Sequence, residues 1–158
     1  MSLAGIGYDC HRFAAGRRLV LGGVEVPHER GLEGHSDADV LTHAVIDALL
    51  GAAGLGDIGE HFPDTDERYR GADSMELLET VLMTVITAGF EVVNVDCTVV
   101  AETPRLGPHR QAIRERLALA LNMPLTRVNV KATTGEGMGF VGRGEGVAAL
   151  AVASLRSR

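Results

Sequence analysis

Leu3-Ala4-Gly5-Ile6-Gly7-Tyr8-Asp9-Cys10-His11 is an apolar, glycine-containing run that turns polar at its end. It reads as a first β-strand. Alternate side chains of a strand share a face, so Asp9 and His11 point one way and Cys10 the other. A carboxylate and an imidazole side by side on a rigid strand make two-thirds of a metal site. Cys10, turned away from them, is expected in the core and not as a ligand.

Working outward, residues 18–27 read as a strand pair, Leu19-Val20-Leu21 and Val24-Glu25-Val26. Gly22-Gly23 between them is a two-residue hairpin signal. Residues 28–35 are a polar loop. A helix follows, with Ser36 or Asp37 as N-cap and an apolar side marked by Val40, Ala44 and Leu50. Asp39, His43 and Asp47, four apart, form a stripe on a different side. Gly54 and Gly56 end this helix. Residues 56–72 hold glycine, proline and aspartates with little apolar periodicity, and read as a long loop or lid of the kind that carries function.

Asp73 or Ser74 caps a second helix, with Leu77, Leu78, Val81, Leu82, Val85 and Ile86 at helical spacing and Gly89 closing it. Residues 90–102 form a long strand. Val93, Val95, Cys97 and Val99 take one face, and the polar Asn94, Asp96 and Thr98 on the other are expected to meet water or another subunit. Residues 108–121 predict a third helix through Ile113, Leu117 and Leu121. Residues 128–133 and 147–155 are the last strands. The sum is α/β (α+β type): a mixed sheet of about five strands with three helices packed on one face, residues 1–158 forming one domain.

The bulk numbers narrow the function. A net charge of −6 argues against nucleic-acid or membrane-surface partners, which require a basic face. An anionic substrate must then be held by metals, backbone N–H groups or single arginines. The two cysteines have no zinc-ribbon spacing. No basic leader precedes a long apolar run, and no apolar run approaches the ~18 residues of a membrane span. The expectation is a reduced, cytoplasmic protein.

Two literal GxGxxG matches fail on context. Gly54-Leu-Gly56-Asp-Ile-Gly59 follows a helix, and Gly137-Met-Gly139-Phe-Val-Gly142 opens no predicted helix. His43 is the more telling residue. Asp39 and Asp47 each lie one turn away, and either could hold its second ring N–H. Asp9, His11 and His43 together offer mixed O/N ligation suited to Zn²⁺, with a fourth position open for chemistry. On spacing alone, a half-buried helix histidine fits His43 as well. His35-Ser36 lies at a helix start that favours an anion. Thr133-Thr134-Gly135-Glu136 follows a strand end, where hydroxyls, amides and a carboxylate suit a phosphate and a second divalent ion.

Several stretches in order resemble the 2-C-methyl-D-erythritol 2,4-cyclodiphosphate synthases over nearly the whole chain. They are residues 5–13 (GIGYDCHRF), 34–43 (GHSDADVLTH) with 47–51 (DALLG), 56–59 (GDIG), 61–66 (HFPDTD), 131–134 (KATT) and 139–143 (GFVGR). The resemblance implies a homotrimer with active sites between subunits, Zn²⁺ on Asp9, His11 and His43, and Mg²⁺ or Mn²⁺ near Glu136. It implies a nucleotide-diphosphate substrate, 4-diphosphocytidyl-2-C-methyl-D-erythritol 2-phosphate, whose 2-phosphate attacks the β-phosphorus and expels CMP. By the same resemblance, His35 and Thr134 stabilise the transition state. Ser36, Asp57, Ile58, Gly59, Phe62, Asp64 and Asp66 contact the methylerythritol part. Ala101, Pro104, Arg105, Leu106, Gly107, Ala132 and Thr133 form the nucleotide pocket. Phe140 and Arg143 stand near the trimer axis, where some relatives accept an isoprenoid diphosphate.

Arg105 stands where the family commonly has Lys, which changes reach. Gly135 stands where Thr is common, and is expected to loosen the turn before Glu136. Two other functions fit parts of the pattern: a zinc hydrolase, and a non-catalytic trimer that binds diphosphates through Arg143.

Overall fold

The computed structural model describes residues 2–158. Its chain runs β1 (Ser2–Ala14), β2 (Leu19–Leu21), β3 (Val24–Val26), β4 (Gly31–Leu32), α1 (Val40–Ala53), α2 (Ile58–His61), α3 (Ser74–Thr87), β5 (Phe90–Val100), α4 (Arg110–Ala120), β6 (Val128–Thr133), α5 (Gly139–Gly142) and β7 (Gly146–Ser157). Five strands form one mixed sheet in the order β4-β1-β7-β5-β6. Every neighbouring pair is antiparallel except β5 with β6. That parallel pair is joined through α4, as a crossover requires. The β2–β3 hairpin stands apart as its own two-stranded ribbon.

Gly5 and Gly7 set the distance between sheet and helices. A Cβ at either position would overlap backbone of α1, at the Ala48 and Ala44 carbonyls respectively. With no side chain between them, helix rests on strand backbone to backbone. Gly5, Gly7, Asp9 and His11 share the face of β1 that looks at α1, so the contact that admits the helix also carries His43 to the two strand ligands.

The core is one-sided. Val95, Cys97 and Val99 of β5, Val147, Ala149, Ala151, Ala153 and Leu155 of β7, and Leu78 and Val81 of α3 are buried between sheet and helices. On the helix-free face, Ile6 pairs across with Val152, and Tyr8 with Leu150. All four stay exposed, Ile6 to 69%. Cys10 lies on this face and is exposed. The expectation that it packs in the core fails because strand alternation sends it to the side that no helix covers.

Other boundaries shift for local reasons. Helix α1 is capped by Asp39, three residues past the first expected cap, and its carboxylate accepts from Thr42 N–H. The same carboxylate accepts from the N–H groups of Gly22 (2.9 Å) and Gly23 (2.7 Å). Both glycines have positive φ, the conformation this hairpin turn demands. Asp39 is therefore fully buried as a staple between hairpin and helix. On β5, an irregularity in pairing between Val92 and Asn94 puts Val92, not Val93, in the core with Val95. The long loop contains α2 and a 3₁₀ turn, Glu67–Tyr69. The glycine run 137–142 opens one turn of helix, α5.

Candidate active site

Asp9 and His11 project from β1 and His43 from α1. Oδ2 of Asp9 lies 2.9 Å from Nε2 of His11 and 3.1 Å from Nδ1 of His43. The two ring nitrogens are 3.4 Å apart. The other nitrogen of His11, Nδ1, lies 2.7 Å from the Glu33 carbonyl oxygen. A carbonyl only accepts, so Nδ1 carries the proton and Nε2 of the neutral ring presents a lone pair. A lone pair and a carboxylate oxygen at 2.9 Å need positive charge between them. Edges of about 3.3 Å are what tetrahedral bonds of about 2.0–2.1 Å produce, so the donor set fits a divalent cation such as Zn²⁺. No other group of three such side chains converges among the described residues.

The ionisation of these groups tells the same story. Burial works to raise the Asp9 carboxyl, yet the hydrogen bonds and charge of His11 and His43 hold it down at about 2. Burial works to lower the His11 imidazole, and Asp9 more than reverses this, so His11 is raised. The pocket attracts a cation whether that cation is a proton or a metal. The second nitrogen of His43 meets neither expected partner. Asp39 is turned to the hairpin, and Asp47 accepts from the Ile58 N–H at 2.8 Å. Nε2 faces Ser74 Oγ at 2.8 Å instead, with Ser36 Oγ at 3.2 Å.

His11 and His43 edge a cavity of about 430 Å³ whose lining includes His35, Ser36, Ile58, Gly59, Phe62 and Asp64. Gly34, Pro63, Tyr69 and Leu77 complete it, and the sequence pattern assigns none of them a site role. Tyr69 meets Phe62 edge to face with centroids 5.2 Å apart, a pairing between two loop segments without periodic signal. His35 Nε2 donates to the Asp66 carbonyl at 3.0 Å. Arg17 donates to the carbonyls of Gly34 (2.9 Å) and Ser36 (2.7 Å), fixing the loop that carries His35. Two expected substrate contacts turn away from the cavity. Asp57 caps α2 through the Glu60 N–H, and Asp66 caps the 3₁₀ turn and forks onto Arg68.

Ala101, Pro104, Arg105, Leu106, Ala132, Thr133 and Thr134 meet around a second cavity of about 520 Å³. It shares no lining residue with the first. Gly107 falls outside it, on a neighbouring hollow with Arg110 and Lys131. Glu136 stands beside Thr134, whose Oγ1 accepts from the Glu136 N–H at 3.1 Å. The turn before Glu136 is not loose. The Gly135 N–H donates to Glu102 at 2.7 Å, and a Cβ there would press on Met138 O and Gly142 N. Glu102, expected only as the end of the long strand, lies past the end of β5 and helps to hold the turn. Phe140 sits half-buried in α5, and Arg143 pairs with Glu145 at 3.0 Å.

The sequence pattern of the YgbB family matches residues 3–156. A Salinibacter ruber protein named 2-C-methyl-D-erythritol 2,4-cyclodiphosphate synthase is 60% identical over 153 residues, 97% of this chain and 98% of that one. The solved bifunctional IspDF from Campylobacter jejuni superimposes on all of this chain with a TM-score of 0.97 at 46% identity, and this chain spans 43% of it. A solved 2C-methyl-D-erythritol-2,4-cyclodiphosphate synthase with CDP bound aligns over 97% of this chain and 99% of its own, with a TM-score of 0.89 at 38% identity. Since the match takes in both strand ligands, the helix ligand and the Thr133–Glu136 turn, the chain belongs to the YgbB family.

Proposed function

We propose that the chain converts 4-diphosphocytidyl-2-C-methyl-D-erythritol 2-phosphate into 2-C-methyl-D-erythritol 2,4-cyclodiphosphate and CMP, a lyase step of non-mevalonate isoprenoid synthesis. The observation that carries this reading is the convergence of three electron-rich ligand atoms at the mouth of a cavity, in a chain so close to named synthases. The nucleophile is already an anionic phosphate, so the chemistry needs no strong protein base. The obstacle is bringing like charges into line, which positioning and cations overcome. When bound, Zn²⁺ at Asp9, His11 and His43 and Mg²⁺ or Mn²⁺ at Glu136 supply the positive charge for this. A single carboxylate such as that of Glu136 would suit a second ion of this kind.

The chain's own residues do the rest. His35 and Ser36 face the first cavity, where the Ser36 hydroxyl can donate to a phosphate and the His35 ring, anchored through Nε2 to the Asp66 carbonyl, forms part of the wall. Ile58, Gly59, Phe62 and Asp64 wall the methylerythritol part, with Asp57 and Asp66 holding that wall in shape. Ala101, Pro104, Arg105, Leu106, Ala132 and Thr133 receive the cytidine nucleotide beside Gly107, and Thr134 steadies the charge that develops on the diphosphate. The CDP-bound relative supports the nucleotide assignment.

We further infer a homotrimer in which the first cavity of one subunit faces the second cavity of its neighbour. The exposed Ile6, Tyr8, Leu150 and Val152 supply an apolar face for that contact. In it, Phe140 and Arg143 stand near the axis. The chain acts as one catalytic domain, and its two free thiols suit the cytoplasm.

Incubation with substrate followed by ³¹P NMR tests the reaction. Cyclic diphosphate with CMP is the expected outcome, and linear hydrolysis products would overturn it.

A further inference from the structure

Behind His43 lie the buried Ser74 and its neighbour Asp37, to which the proposed reaction assigns no part. Ser74 is the first residue of α3 and has no solvent exposure. Its Oγ makes two short contacts, one with His43 Nε2 at 2.8 Å and one with Asp37 Oδ1. The Asp37 carboxylate also accepts from the Ser74 N–H at 2.9 Å and the Asp39 N–H at 3.1 Å. It is thus a fixed acceptor with no freedom to turn.

The proton order follows. A carboxylate held by N–H donors accepts, so the single hydroxyl proton of Ser74 goes to Asp37. Oγ then has only lone pairs to offer His43, and Nε2 of His43 must carry the ring proton. The remaining lone pair is on Nδ1, the nitrogen that faces Asp9 and His11. Ser36 Oγ, at 3.2 Å, is a weaker second acceptor, since it already receives the Ala38 N–H.

We propose that Asp37 and Ser74 act as a hydrogen-bond relay that locks His43 in the tautomer able to hold a divalent cation through Nδ1. They are positioning residues and touch neither cation nor substrate. The inference rests on the metal reading of Asp9, His11 and His43 and deepens it. The relay also ties the site to the end of the lid. Ala72 O accepts from the Asp37 N–H at 3.1 Å, and the Gly71 N–H donates to His35 O at 2.8 Å. The segment that carries Ser74 into place is therefore the one that closes residues 56–72.

The test measures Zn²⁺ affinity by chelator competition on the full chain, together with the ¹⁵N shifts of the His43 ring without metal. Ser74→Ala is expected to weaken zinc by about 10- to 100-fold, as loss of such an outer partner does, and to replace the pure Nε2–H ring by a tautomer mixture. Asp37→Asn is expected to weaken zinc less. Ser74→Thr, which keeps the hydroxyl, restores both readouts and separates the relay from mere folding. Zinc affinity within twofold of the parent in Ser74→Ala, with an unchanged ring, overturns the relay alone. A parent chain that binds no zinc, or a His43→Ala variant that binds it equally well, overturns the metal reading and the relay with it.

Discussion

The two cavities are finished to different degrees. Around Asp9, His11 and His43 the chain closes on itself. Asp9, His11 and His43 are each half-buried and each held by a partner, the Cys10 N–H, the Glu33 carbonyl and the buried Ser74 hydroxyl, and the elements that meet there come from positions 9 to 74. Around Thr133, Thr134 and Glu136 the side chains are exposed, and Glu136 has a positive φ of 53°, a conformation that is costly for a residue other than glycine. Glu102, through the Gly135 N–H, and the Met138 N–H, through the Gly135 carbonyl, hold the turn. A cluster of three donors can be built inside one subunit. The second groove is left open and, in the function proposed above, it receives the nucleotide, an ion and a neighbouring subunit.

The largest expected effect comes from breaking the finished side. His43→Ala should lose bound zinc and lower turnover by about 10³-fold, the scale of several kcal/mol of charge stabilisation. Metal analysis beside a CMP-release assay checks it, and full zinc with normal turnover would end the distinction drawn above. Next, Val152→Lys puts a charge on the helix-free face at a residue that is already 43% exposed in the single chain. The assembly should fall to the 16.7 kDa subunit, and turnover should drop by about 10²-fold as the two halves of the site part. Zinc affinity should stay within twofold of the parent, and sedimentation with zinc titration reads both. Glu136→Gln is expected to lower turnover by roughly 10-fold to 10²-fold and raise the Mg²⁺ needed for half-activity, again with zinc retained.

A last effect, on stability and not on turnover, probes the buried core. Burial pushes the Cys97 thiol up to about 12 from an ordinary value of 9.0. An acid whose folded pKa is raised favours the folded state below its unfolded pKa, and that advantage is lost as pH climbs towards the folded one. Unfolding free energy should therefore decline by about 1.4 kcal/mol per unit between pH 9 and 12, and Cys97→Ala should flatten the slope.

Much of this was legible in the sequence because it is local. Gly22-Gly23 announced its hairpin, strand alternation paired Asp9 with His11, and helical spacing raised His43. What escaped depends on elements distant in the chain. Ser74 lies 31 residues from His43, and nothing in the spacing links them. Asp39 sits one turn from His43 and looked like its partner, but the hairpin amides claim it. Cys10 was placed in the core because alternation says which face a residue takes, not whether anything covers that face. The β5 irregularity at Val92 and Asn94 moved one valine across the sheet without any glycine or proline to mark it.

Gly5 and Gly7 carry a consequence for how the site could be altered. Where two surfaces meet through side chains, their spacing is adjustable in small steps, since one methyl can be added on one side and removed on the other. Where backbone meets backbone there is no such dial. The separation between Asp9 and His43 is inherited from main-chain dimensions for as long as positions 5 and 7 stay glycine. Substitutions in the loop 56–72 and the outer groove can alter this protein while leaving the spacing of Asp9 and His43 untouched.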